Sequence, residues 1–406
     1  MTAVAGDTTT TAFLYKHRYS DRAASELAQR DHAFLNQMPK EGGLDGADFN
    51  YPLTTGNPQG IADDFTSAQG AAETLKGVQL AAVPYLKYGD LTLDGPSLIR
   101  ASGGKASFYD LVTRSQDGLL DELGAEIAFN LQRDRSGMRG RRASISGNIV
   151  TLSNKRDVEH FKRGMTVMAC TAAGGSGARA GSSKVVGLNR TNGTITLDDQ
   201  STITTFSDND YLFRKGGNAT GIEGMETATP LSVPTAGDSF RGIDRSVDAE
   251  ALAGSRIDDT SRYVEEILGD LATEIQIIAG KKGDRAVVFP TVFQAMSKRL
   301  GAKVEFMAGS TADIGFEYIT IIAGGTQLRV MSDVDARYDR ARIVRQDTHC
   351  IKHVKDFIHF IRDDGGGPNL RLASSDGIET RARFLGNYVQ YDTAAHGVAS
   401  VSTTNP

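Results

Sequence analysis

Each shortage in this chain narrows what it can be. There is no tryptophan, and the only two cysteines are Cys170 and Cys350, too few for a disulfide framework and suited to a reducing compartment. No apolar run approaches the roughly 18 residues needed to cross a bilayer as a helix. The opening MTAVAGDTTTT has neither the charged nor the apolar region of a secretory leader, so none is expected. Basic residues are in deficit: 45 Lys and Arg against 50 Asp and Glu give a net charge of −5. That balance argues against a protein whose main task is gripping nucleic acid. What remains is a polar chain of 406 residues, long enough for two or three cores, with 45 glycines that point to many turns.

Catalytic chemistry is also in short supply. The loop GGSGARAG at 174–181 has neither the Walker spacing nor GxGxxG, and reads as a hairpin loop. His349, Cys350 and His353 are the nearest approach to a ligand set, but on a strand Cys350 points away from the two histidines, and adding His359 does not complete four ligands. No GxSxG elbow is present, and the Asp-Asp pairs at 63, 198, 258 and 363 sit where turns and helix starts use them. No metal, cofactor or catalytic residue is expected.

The strongest periodic signal is SFYDLVTRSQDGLLDELGAEIAFNLQR, residues 107–133. Phe108, Leu111, Leu119, Leu123 and Ile127 recur at helical spacing, and Ser107 with Asp110 predicts a capping box. Before it, residues 1–48 form an arm with a short helix ending at Pro39, followed over 49–100 by an extended ribbon rich in Gly and Pro bends. Neither segment has the apolar residues for a core of its own, so each needs a partner surface. After the helix comes an arginine-rich link with Arg133, Arg135, Arg139, Arg141 and Arg142, which has two readings, contact with a nucleic-acid backbone or pairing with carboxylates at a subunit boundary, and the acidic balance of the chain favours the second. Residues 144–218 show five short β runs separated by turns, predicting a small barrel or sandwich inserted into a host fold. Helices over 258–279 and 290–300 and several strands follow, with a long one at ETRARFLGNYVQYD and a small, polar tail.

Several stretches occur in an order that resembles the major capsid proteins of tailed double-stranded-DNA bacteriophages with the Hong Kong 97 fold. HAFLNQMPK (32–40) is similar to the end of that family's N-terminal arm. YPLTTGNPQG (51–60) and AAETLKGVQLAAVPYLKYGDLTL (71–93) are similar to the two strands of its extended E-loop. The helix from Ser107 resembles the spine helix, RDRSGMRG (133–140) the link after it, VFPTVFQAMSKRL (288–300) an axial-domain helix, and ETRARFLGNYVQYDTAAHGVASV (379–401) the C-terminal strand and tail.

The resemblance implies an α+β fold with an arm (1–48), an E-loop hairpin and entry to the peripheral domain (49–100), the spine helix of that domain (101–143), an inserted β domain (144–218), an axial domain returning to the peripheral one (219–348) and axial and peripheral C-terminal strands with a tail (349–406). It implies assembly through Asn57, Pro58, Gln59, Gly60, Phe65, Lys76, Val78 and Leu80 of the E-loop, the named apolar residues of the spine, and the arginine cluster. The expected partners are further copies of the chain in pentamers and hexamers, a scaffolding protein, a portal, a decoration protein, and packaged DNA bound without sequence specificity. The expected location is the virion, assembled in bacterial cytoplasm, with no membrane involved. Two alternatives stand beside it. An encapsulin-type compartment shares the fold but houses protein cargo; the GNPQG strand and the inserted β region weigh against it. A hydrolase with a β-rich accessory domain belongs to a different class, and electron microscopy would separate it from a shell.

Overall fold

A computed structural model describes residues 32–43, 48–101, 105–301, 319–323, 325–362, 369–372 and 376–402. They divide into two compact units. The first takes 83–128, 351–387 and the described part of 1–49; the second takes 50–82, 129–350 and the described part of 388–406.

The first unit is built on a mixed sheet. Its organising strand is β21 (Gly377–Gln390), against which β4 (Tyr85–Asp94) runs antiparallel from Asp94 opposite Gly377 to Tyr85 opposite Gly386. Strands β19 (His359–Ile361) and β20 (Asn369–Arg371) also pair with β21, and β1 (Lys40–Glu41) lies parallel to β18 (His349–His353). β4 alternates half-buried and exposed positions, the period of a sheet with one covered face. The long helix Lys105–Leu131 meets that covered face: a Cβ on Gly89 would stand 2.9 Å from Leu119. The chain thus leaves the extended stretch at Val83 and joins this sheet.

The helix runs 27 residues, about 40 Å. It begins at Lys105, with Ser107 inside it; the side chains of Ser107, Phe108, Asp110 and Leu111, on which the expected capping box rests, lie outside the described residues. Leu120, Leu123 and Ile127 are buried as the periodicity predicts, and Leu119 is half-buried. From Glu126 onward every residue to Arg133 is buried, polar ones included, so the last turns carry no solvent stripe. Within the second unit, Gly224 passes the end of the helix so closely that a Cβ would sit 2.3–2.5 Å from the carbonyl oxygens of Asn130, Leu131 and Arg133. Only glycine allows that approach.

The second unit holds a six-stranded sheet, in order β13 (Ser255–Ile257), β22 (Gly397–Ser400), β17 (Arg340–Val344), β14 (Arg285–Val288), β16 (Thr326–Ser332) and β15 (Ile319–Ala323). Helix Val264–Ala279 lays Val264, Ile267, Leu268, Leu271 and Ile275 on it, and Gly280, at φ +60°, ends the helix in a left-handed cap. Helix Pro290–Gly301 adds Val292 and Met296 to the same core, its first-turn proline lying where no amide partner is needed. Burying each of these aliphatic side chains stabilises by about 1.5–3 kcal/mol. β22, expected to be part of a polar tail, is wholly buried between β13 and β17.

Residues 138–214 of the same unit form a closed six-stranded barrel, β10 (Tyr211–Arg214), β5 (Met138–Ser146), β6 (Ile149–Leu152), β9 (Thr194–Leu197), β8 (Ser183–Asn189) and β7 (Thr166–Cys170). Val150, Val167, Val185, Ile195 and Leu212 fill it from alternating positions. The second half of the arginine-rich stretch, from Met138, is its first strand.

Candidate assembly surfaces

Strands β2 (Phe49–Gly56) and β3 (Lys76–Ala82) pair as a two-stranded ribbon, held close at Gly77, where a Cβ would come within 3.1 Å of the Leu53 carbonyl oxygen. Its base is buried in the second unit through Tyr51, Leu53, Leu80 and Ala82. The anchor is Arg241, which donates from Nη1 to Tyr51 Oη at 2.5 Å and from Nη2 to the Tyr388 carbonyl at 2.7 Å, and pairs through Nε with Glu223 at 2.9 Å. Arg241 holds this fork from a left-handed backbone, φ +51°. A non-glycine residue keeps that conformation only where its surroundings over-determine it, and three charge-assisted bonds do so here. Burial raises the Tyr51 pKa against the opposing pull of Arg241.

The far end of the ribbon is different. Between Gly56 and Lys76 the chain makes a loop with one short helix, Phe65–Gly70, capped by Asp64 accepting from the Ser67 amide at 2.9 Å. Asn57, Pro58 and Gln59 are exposed, and so are Ile61 at 85 %, Phe65 at 80 % and Leu75 at 60 %. Lys76 pairs with Glu73 at 2.8 Å on the surface, a contact worth little. Val78 is half-buried and Leu80 fully buried, so the residues anticipated as one assembly element split into an exposed tip and an anchored base.

The arginine cluster also divides. Arg133 lies over the Phe129 ring at 5.0 Å and meets His160 Nε2 at 2.8 Å; Arg139 lies over the same ring at 4.4 Å and donates to the His160 carbonyl at 2.7 Å. Arg142 donates to the Phe206 carbonyl at 2.7 Å, covers the Phe206 ring at 4.3 Å and pairs with Asp208 at 3.0 Å. All three are buried within their own chain. A guanidinium so desolvated is held by carbonyls and aromatic faces. Arg135 and Arg141 are exposed, the former 3.9 Å from Glu223 and the latter over Tyr211 at 5.5 Å.

Around Arg133 the barrel meets the sheet side of its unit. Gln132 donates to Asp333 at 2.8 Å, and Asn154 bonds the Tyr338 hydroxyl. Asp157 faces Arg133 and Arg337, yet burial outweighs both and lifts its pKa to about 6. Burial, reinforced by those arginines and Arg139, holds His160 well below its ordinary value. Nothing in the sequence marks Asp157 or Arg241, because their partners lie far away along the chain.

The histidines and cysteines considered as ligands are dispersed. His349 and Cys350 are buried, Cys350 lying 3.5 Å from the Tyr391 hydroxyl; His353 Nδ1 contacts the Lys355 carbonyl at 2.7 Å, and His359 accepts from Arg383 at 2.7 Å. Among the described residues no group of three or more His, Cys, Asp or Glu is arranged to hold a metal. The glycine-rich loop 174–181 lies between β7 and β8, pinned by Arg179 to Asp210 at 3.0 and 3.1 Å.

No known protein-family profile matches the chain, and no curated protein does. Solved structures do. The chain is similar to a chain of the cyanophage A-1(L) capsid asymmetric unit, at 13 % identity over 91 % of this chain and 90 % of that one, with a TM-score of 0.49. It is similar to a chain of the satellite phage P4 procapsid solved with its size determination (Sid) protein, at 10 % identity, 97 % and 96 % coverage and a TM-score of 0.45. A chain from Mycobacterium phage Adephagia matches at 12 % identity, 99 % and 100 % coverage and a TM-score of 0.44. Likeness at such identity concerns fold alone, and what the chain does must be argued from its own geometry.

Proposed function

We propose that this chain is a structural shell protein, the major capsid subunit of a tailed double-stranded-DNA phage with a Hong Kong 97-type fold. The observation that carries the reading is the ribbon Phe49–Ala82: its base is bolted to its own unit by Arg241, while its tip holds Ile61, Phe65 and Leu75 in solvent. Three large apolar side chains on one loop, each more than half exposed, are what a surface completed by another molecule requires. In this reading the ribbon is the E-loop, the helix Lys105–Leu131 the spine of a peripheral domain, and the sheet of β13 to β22 the axial domain. The barrel is the inserted β domain.

Copies of the chain then form pentamers and hexamers and close into a shell in the bacterial cytoplasm, aided by a scaffolding protein and a portal. A net charge of −5 suits a wall that holds DNA without gripping it. No enzymatic activity belongs to this role.

The test is to replace Ile61, Phe65 and Leu75 together by Ser. Exposed positions of this kind change stability by about 0.5 kcal/mol or less, so the subunit should fold as before. Electron micrographs should show shells from the parent chain and only subunits or open capsomers from the variant. Shells from both would sink the reading, as would small discrete particles from the parent under every assembly condition tried.

A further inference from the structure

A small cavity lies in the second unit between the segment Met225–Thr229, strand β17 and the start of β22. It measures about 10 Å³, and Thr229, Arg342, Gln390 and His396 are among the residues that line it. That is on the order of the space one water molecule needs, and too little for anything larger.

The Thr348 hydroxyl lies 2.9 Å from the Arg345 carbonyl and 2.8 Å from His396 Nε2, and which side donates in the second contact follows the tautomer of the ring. Nδ1 of His396 is buried and has no hydrogen-bond partner among the described residues. Arg342 is directed elsewhere, with Nη1 on the carbonyls of Met225 and Thr229 at 3.2 and 3.0 Å and Nη2 on Glu226. Burial, with His349 and Arg345 nearby, holds the ring neutral. A buried polar atom left unsatisfied costs about 1–3 kcal/mol, and the Gln390 side-chain oxygen receives a long contact, 3.4 Å, from the Thr229 hydroxyl.

We propose that this cavity is the site of one structural water molecule, hydrogen-bonded to Nδ1 of His396 and donating to the side-chain oxygen of Gln390. It ties the residue that leads into β22 to the end of β21.

A crystal or cryo-electron-microscopy map of the full chain at about 2 Å should show a single peak about 2.7–3.2 Å from both Nδ1 of His396 and the Gln390 oxygen. Gln390→Met should remove the peak. Should that variant not fold, the parent map decides by itself. No peak in the parent map, or a peak that persists unchanged in Gln390→Met, would overturn the proposal.

Discussion

Replacing Asp157 by Asn should stabilise the chain at pH 8 and leave it unchanged near pH 3.5. The carboxylate sits in the short 3-10 turn Lys155–His160, half-buried against β5, where a Cβ on Gly140 would lie 3.2 Å from its own Cβ. Two effects compete there. Arg133 and Arg337 favour the charged form; burial and Asp339 disfavour it, and burial wins, lifting the pKa from 3.8 to about 6. The folded state therefore binds this proton more tightly than the unfolded chain does. The stability it contributes is complete below pH 3.8 and is lost as pH rises through 6. Two units of pKa at about 1.4 kcal/mol each put the full difference near 3 kcal/mol, and solvent reaching a half-buried group trims that to about 1–3 kcal/mol. Asn copies the shape of the protonated acid without its titration. Urea unfolding of both proteins at pH 3.5, 5 and 8 should show the variant gaining progressively. A variant that is less stable than the parent at pH 8 would mean the two guanidiniums outweigh burial, and the reasoning would fail.

Two further outcomes can be measured on the same footing. His349 has the opposite sign: burial, aided by Arg285, lowers its pKa to about 4, so its contribution is intact above pH 6.5 and falls away as the pH drops through 4. His349→Gln should flatten the acid limb of the stability profile by up to about 3 kcal/mol, and identical limbs in parent and variant would refute it. Arg142→Ala should cost about 2–3 kcal/mol of stability through lost packing on Phe206 and a lost carbonyl bond, whereas Arg141→Glu should leave unfolding unchanged and act, if at all, on assembly. Equal destabilisation by the two would erase the distinction between a buried and a surface arginine.

Much of the fold was legible because its signals are local. The stripe Leu120, Leu123, Ile127 marks the long helix, and the runs around Val150, Val167, Val185, Ile195 and Leu212 alternate as barrel strands do. The sixth barrel strand was hidden, since Met138–Ser146 carries Arg139, Arg141 and Arg142, and an arginine-rich stretch reads as a solvated link. What makes it a strand is long-range: Tyr211 opposite Arg141 and Leu152 opposite Arg142, partners that no local pattern encodes. β22 failed for a related reason. Gly397–Ser400 is small and polar enough to resemble a tail, yet smallness is what its place demands, since a Cβ on Gly397 would meet Leu271 at 2.9 Å.

The ribbon shows where sequence reasoning reaches its limit and why. Its poor apolar content correctly implied that it needs a surface beyond itself, but composition cannot say whose surface. Two different answers hold along one hairpin. Tyr51 and Leu80 find theirs within the chain, through an arginine 190 positions away from the tyrosine it holds. Ile61, Phe65 and Leu75 do not, being left mostly in solvent. A free ribbon would be ordered only when a neighbour captured it, at a large cost in conformational entropy. With the base fixed by Arg241, the ordering of the base is done within the chain, and in the shell reading proposed above a neighbour would supply only a cover for the tip. On that reading the fork on Tyr51 belongs to the assembly device as much as the apolar tip it presents.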